Sequence, residues 1–250
     1  MKRLLLVNIN LLSFMAVSPA KIIYSFLRIS FLITVSFITF HAAAQSNPEQ
    51  QKDAYKKVIT ERAAKIVATL SVSDSVKYEE VVSIIADQYS ALNDEQQKNE
   101  LAVADIKKQS LEKDREAVAL KTQEERKSAA LMQLHNDFIA HLNENLSAGQ
   151  VEKVKDGMTY KVFPITYAAY IDMIPALTTE QKDKIYGWLK EARELAMDAE
   201  SADKKHAVFG KYKGRINNYL SAAGYDMKKE GEEWQKRIKE KQEKKKEPAG

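Results

Sequence analysis

The sequence predicts an all-α protein, an antiparallel bundle of about six helices with long N-terminal helices and a charged C-terminal helix. Three observations carry this. No proline or glycine occurs from residue 49 to residue 148, a stretch too long for anything but extended helices. Apolar residues recur at helical spacing in most of the chain. Three sites share a Leu, a capping residue and a Gln three positions after the cap, the form of a capped helix start.

The elements follow in order. Before Glu49, the first acidic residue, lie four basic residues and two apolar runs. The second run, residues 29–40, has the length of a signal-peptide core. Ala42, Ala43 and Ala44 give small residues for cleavage, so residues 1–44 read as an export signal and Gln45 as the mature start. The run is short for a membrane span, and Arg28 borders it. The mature chain is therefore expected to be exported, periplasmic or secreted, without a membrane anchor. A helical domain over residues 45–227 follows, then a charged helix or tail over 228–250.

Tyr55, Val58, Ile59, Arg62, Ala63, Ile66, Val67 and Leu70 trace one helix face, and residues 71–75 break it. Val81, Val82, Ile85, Tyr89 and Leu92 form the next stripe. From Asn93 to Ser128 the apolar spacing is too wide for a deep core, and the segment reads as a solvated helical arm. A partner-binding coiled coil is the sharper alternative. Leu131, Leu134, Phe138, Leu142 and Leu146 restore the pattern. Asn93, Ser147 and Thr178, each with Gln three residues on, are read as capping boxes. The same Leu-cap-x-x-Gln form resembles a motif of small periplasmic helical chaperones.

Gly157 reads as the end of the helix begun at Ser147. Pro164 suits a first helical turn. Ile174, before Pro175, should be extended, which keeps that helix short. The next helix is expected to bury Ile185, Trp188, Leu189, Ala192, Leu195, Ala196 and Ala199. After Ser201, Phe209, Tyr212, Ile216, Tyr219 and Leu220 make an apolar stripe. Beside it run Gly210, Gly214, Asn217 and Ser221. Glycine inside a helix costs about 0.5–1 kcal/mol relative to alanine. Either a closely packed helix or a ligand approaching the backbone would offset that. Gly224 reads as a C-terminal cap, and Trp234 and Ile238 as the anchors of the charged terminal helix.

Lys2, Arg3, Lys21 and Arg28 account for the whole excess of 39 basic over 35 acidic residues. The chain after residue 44 is thus formally neutral, and a nucleic-acid partner, which requires a basic surface, is not expected. No cysteine is present, which excludes disulfides, thiol catalysis and zinc–thiolate sites. His135 and His141 stand six apart, off the spacing that places two imidazoles on one helical face, so no metal or other cofactor is expected.

Eleven aromatic residues follow position 148 and only four lie between positions 45 and 148, so the aromatic half also holds every glycine. A sugar ring has an apolar face and a hydroxyl rim, and needs an aromatic beside Asp, Asn or Arg. Tyr160, Tyr167, Tyr170, Asp172, Arg193, His206, Arg215 and Asn218 meet that description as candidate ligand-binding residues. Catalysis has no signature of its own. Glu191, Glu194 and Asp198 share a helix, where a glycosidase needs two carboxylates across a cleft. A lyase would need Tyr or His as base, with Arg to neutralise a uronate.

Five stretches carry a family resemblance: Val154–Tyr160 (VKDGMTY), Pro164–Tyr167 (PITY), Leu177–Gln181 (LTTEQ), Glu191–Ala199 (EARELAMDA) and Lys205–Leu220 (KHAVFGKYKGRINNYL). Together they resemble the domain of unknown function 3826 family, over about Ala54 to Trp234. The resemblance implies a secreted, largely helical, sugar-binding protein of polysaccharide-using Gram-negative bacteria. It brings no catalytic residues. The function expected is that of an exported protein binding polysaccharide fragments or otherwise aiding glycan use. The alternatives are a periplasmic chaperone or envelope-stress adaptor, and a glycan lyase or hydrolase using Tyr, His and Arg. The sequence assigns no oligomeric state.

Overall fold

A computed structural model describes residues 47–244. The proposed export signal and its cleavage point lie outside them. The described residues form eight helices and no strand: α1 (Pro48–Val67), α2 (Ser75–Lys108), α3 (Lys113–Asn145), α4 (Ala148–Met158), α5 (Val162–Met173), α6 (Thr179–Met197), α7 (Ala202–Ala222) and α8 (Met227–Lys244). The all-α expectation holds, with eight helices in place of about six. The chain divides into a unit ending at Ala54 and a compact unit from Tyr55 onward. The second unit contains everything described below.

Two apolar clusters organise this unit. The first joins α1 to α4: Ile59, Ala63, Val67 and Leu70 meet Val81, Ile85, Phe138, Leu142 and Val154, with Met197 from α6. The second joins α5, α6 and α7 through Phe163, Tyr170, Ile185, Leu189, Phe209 and Ile216. Each fully buried side chain of this kind contributes about 1.5–3 kcal/mol. On α1, Ile59, Ala63, Ile66 and Val67 form the buried face, while Val58 is half exposed.

The segment read as a solvated arm is the distal part of an antiparallel hairpin made by α2 and α3. Its residues are mostly exposed, including Leu101 and Val118, as their wide spacing implied. One polar pair crosses it: Gln123 Nε2 donates to Asn99 Oδ1 over 3.2 Å. Asn93 caps nothing. It lies inside α2, which runs on to Lys108 alongside α3, and helix propagation with that packing outweighs a local capping signal. Both other capping boxes form. Gln150 Oε1 accepts from the Ser147 amide, and Thr178 and Gln181 satisfy each other's backbone amides.

Gly157 is not a helix cap. It lies within α4, where a Cβ would come within 2.9 Å of two Ile66 side-chain atoms, so its role is to let α1 and α4 approach. Two non-glycine residues end this helix instead. Tyr160 and Lys161 both adopt φ 56°. The Lys161 amide donates to Asp156 O (2.7 Å) and the Tyr160 amide to Gly157 O (3.4 Å), closing a Schellman-type turn. Such left-handed conformations cost about 1–2 kcal/mol per residue.

Gly210 and Gly214 have open space where a Cβ would stand, so no closely packed helix explains them. Leu195 is exposed, because the buried face of α6 turns to Arg193 and Met197 at that level. Pro164 does fall in the first turn of α5, and Ile174 ends that helix in a non-helical conformation. No helix among the described residues is long and apolar enough to cross a membrane.

Candidate functional site

The aromatic half holds an amphipathic cleft of about 360 Å³ between α5, α7 and the start of α8. Ile165, Ala169 and Met173 recur every fourth residue on α5 and, with Met227, make its apolar wall. Thr166, Tyr170, Lys213 and Asn217 supply its polar groups. Lys213 and Asn217 are again four apart, which puts both on one stripe of α7. The Tyr170 hydroxyl donates to Asn217 Oδ1 over 2.7 Å, with a longer contact to Lys213 O. Burial pushes the Tyr170 phenol up to about 12, so at neutral pH it stays a hydroxyl. No carboxylate lines the cleft, and Lys213, an exposed residue of its lining, has no ion-pair partner among the described residues.

Of the eight candidate residues, Tyr170 alone lines this cleft. Asp172, at the end of α5, accepts from Trp234 Nε1 over 2.6 Å and thereby ties α8 to α5. Tyr167 meets Tyr186 edge-on at 5.4 Å. Tyr160, 43% exposed, stacks on His206 at 5.6 Å. Arg215 lies over Trp188 at 4.9 Å and near Glu191. Asn218 faces outward, and its neighbour Asn217 takes the position in the cleft. The four-residue step from Lys213 is the signal that singles out Asn217.

Arg193 is buried (1% exposed) and belongs to a charge network between α4 and α6. Its guanidinium pairs with Glu152, with Asp156 at 2.8 Å and with Glu194 at 3.0 Å. Burial opposes its charge, but these carboxylates outweigh burial and raise its pKa above the ordinary arginine value. Glu194 also takes Lys155 at 2.8 Å. Burial alone would raise the Glu194 carboxyl, yet Lys155 and Arg193 bring it below its usual range. His135 extends the network from α3, 2.9 Å from Asp198, and that hydrogen bond raises its pKa.

Lys205, 5% exposed, donates to the carbonyls of Ala196 (2.9 Å) and Met197 (2.7 Å). It neutralises the C-terminal end of the α6 dipole. Burial lowers its pKa to about 8. Sequence reasoning missed both this cap and the α4–α6 network, because their partners lie on different helices.

No hydrogen bond, ion pair or ring contact joins any two of Tyr167, Arg193, His206 and Arg215. Each is engaged elsewhere. Among the described residues no group of three or more His, Cys, Asp or Glu side chains is arranged to hold a metal ion.

Fold and cleft together define an all-α bundle with one amphipathic recess in its aromatic half. The model of a family described as protein of unknown function, DUF3826, matches residues 56–240, and the chain belongs to that family. No curated protein matches the sequence.

Proposed function

We propose that this chain is an exported protein that binds a carbohydrate fragment in the cleft between α5, α7 and α8. The carrying observation is that Lys213, which has no ion-pair partner among the described residues, and the Tyr170–Asn217 hydrogen bond stand beside an apolar wall. A sugar ring presents one apolar face and a rim of hydroxyls, and this recess offers the complement of both. Its volume lies within the usual range for small-ligand sites, roughly 300–1,000 Å³. The free ammonium favours a ring that bears a carboxylate.

Calorimetric titration with an oligogalacturonate and with a neutral gluco-oligosaccharide tests this reading. Saturable binding of the acidic sugar, weakened by Lys213→Ala and by Tyr170→Phe, is the expected result. Absence of heat with both sugars defeats it. Export is tested separately by N-terminal sequencing of the chain recovered outside the cytoplasm, where a Gln45 start is expected.

A lyase gains no support, since the Arg193 charge is already matched by three carboxylates. The chaperone reading keeps one observation, the exposure of Leu101 and Val118 on the α2–α3 hairpin. It requires that the chain suppress client aggregation and that Leu101→Ser with Val118→Ser abolish this.

A further inference from the structure

We infer that the α6–α7 hairpin carries a second binding site, a surface patch of two cations and two aromatic rings whose ligand is a carboxylate-bearing oligosaccharide. The patch does not rest on the cleft reading and shares no residue with it. Lys184 and Trp188 stand one turn apart on α6, and Arg215 and Tyr219 one turn apart on α7. The two helices run antiparallel, so each cation meets a ring of the other helix. Lys184 Nζ lies 5.0 Å from the Tyr219 ring centre, and Arg215 Cζ lies 4.9 Å from that of Trp188. Lys184 is also 5.7 Å from Trp188, and the two rings meet edge to face at 5.3 Å. Lys213 and Asn217 of the cleft are two residues out of step with Arg215 and Tyr219, which places them on the opposite side of α7.

The patch is rich in donors and poor in acceptors. Lys184 and Arg215 are exposed, and the two rings are half-buried between them. Among the described residues Lys184 has no ion-pair partner, and Glu180, one turn before it, makes no ion pair with it. Arg215 has only Glu191, at 3.9 Å, and both side chains are more than half exposed, so that pair holds the guanidinium weakly.

The rings supply the independent observation. Among the described residues neither the Trp188 indole N–H nor the Tyr219 hydroxyl has a hydrogen-bond partner, and neither is sealed from solvent. Trp and Tyr that pack against a core usually place these groups on an acceptor. Helix packing does not call for the two cations either, since Ile185 and Ile216 already join α6 to α7.

These donors define the ligand. Two cations held on ring faces select an anion, and the planar fork of Arg215 suits a carboxylate. A uronate carries its carboxylate directly on a ring, whose oxygens lie close enough to accept from the neighbouring N–H and O–H groups. An acidic peptide holds its carboxylates on flexible stems and loses more freedom on binding. The formal neutrality of the chain after residue 44 disfavours a nucleic acid.

Trp188 and Trp234 are the two tryptophans of the sequence, so Trp234→Phe leaves Trp188 as the sole indole reporter. The test is fluorescence titration of that variant with an oligogalacturonate, a neutral gluco-oligosaccharide and acetylated, amidated tetraglutamate. The expected result is a saturable change in Trp188 emission with the oligogalacturonate alone, with a Kd at or below about 1 mM. Adding Lys184→Gln with Arg215→Gln should weaken it about tenfold or more, and adding Lys213→Ala should leave it unchanged. Calorimetry on the chain with both tryptophans is a second readout that does not depend on Trp234→Phe. Lys184→Gln with Arg215→Gln should remove one of two sites for the oligogalacturonate, and Lys213→Ala the other. An isotherm that Lys213→Ala leaves intact defeats the cleft reading alone. Unchanged emission with the oligogalacturonate, an equal response to the neutral sugar, tighter binding of tetraglutamate, or undiminished binding in the double glutamine variant overturns the patch.

Discussion

Arg193 Nη1 lies 2.8 Å from Asp156 Oδ1, and this ion pair joins a helix of one apolar cluster to a helix of the other. The guanidinium forms hydrogen bonds to three carboxylates while its side chain is sealed from solvent. The C-terminal half therefore meets the N-terminal half partly through a charge network around a buried guanidinium, beside the apolar contact that Met197 makes with the first cluster.

Removing that guanidinium leaves Asp156 without its cation and only Lys155 to offset Glu152 and Glu194. Arg193→Ala should lower stability by about 1–3 kcal/mol, because the carboxylates left behind are partly exposed and can be solvated. Arg193→Lys, which loses the planar fork, should fall between the two. Urea unfolding curves check both, and an unchanged midpoint for Arg193→Ala would show that the network does not stabilise the fold.

The glycines predict opposite signs. At Gly157 an added methyl meets Ile66 at 2.9 Å, so Gly157→Ala should destabilise by about 1–3 kcal/mol. At Gly210 and Gly214 it meets nothing, so alanine should stabilise α7 by about 0.5–1 kcal/mol at each position. Thermal melts of the three single variants test this. Should Gly214→Ala raise stability yet weaken sugar binding, the glycine keeps the α7 backbone clear for the ligand.

Lys205 predicts an alkaline rise in stability. Its folded pKa, about 8, lies below its unfolded value, so from pH 8 to about 10.4 the unfolded chain binds more protons. Stability from this group therefore increases with pH across that window, by at most about 3 kcal/mol. Above pH 10 the trend reverses, because Tyr89 and Tyr170 are held up at about 12 and the unfolded chain ionises first. Urea melts from pH 7.5 to 10 should show the rise in the wild type and not in Lys205→Met.

His135 acts in the opposite direction. Its raised folded pKa makes its ion pair with Asp198 fully stabilising below the unfolded histidine value, about 6.5, and the contribution fades as pH passes the folded value. The wild type should lose stability between pH 6 and the upper end of that titration. His135→Gln should show a flatter profile in the same thermal melts.

The reading of Ser147 and Thr178 as caps succeeded because a capping box is local: its donors and acceptors lie within four residues. Asn93 has the same spacing and failed, since the helix running through it is held by contacts with α1 and α3 that a short window does not contain. The candidate site divided in the same way. Tyr170 was legible as an aromatic with a polar handle. Arg193 looked equally suitable by type, and its isolation from any ligand follows from three carboxylates on α4 and α6.

By itself the sequence determined the all-α class, the helix faces centred on Ile59, Ile85 and Ile216, and the aromatic character of the second half. Helical periodicity and breaker placement are written in neighbouring residues. Tertiary structure alone decided that Lys213 and Asn217 share a recess with Tyr170, that Lys205 closes α6, and that Gly157 is a contact point. Each of these depends on which helices lie side by side, and that is set by the packing of whole faces.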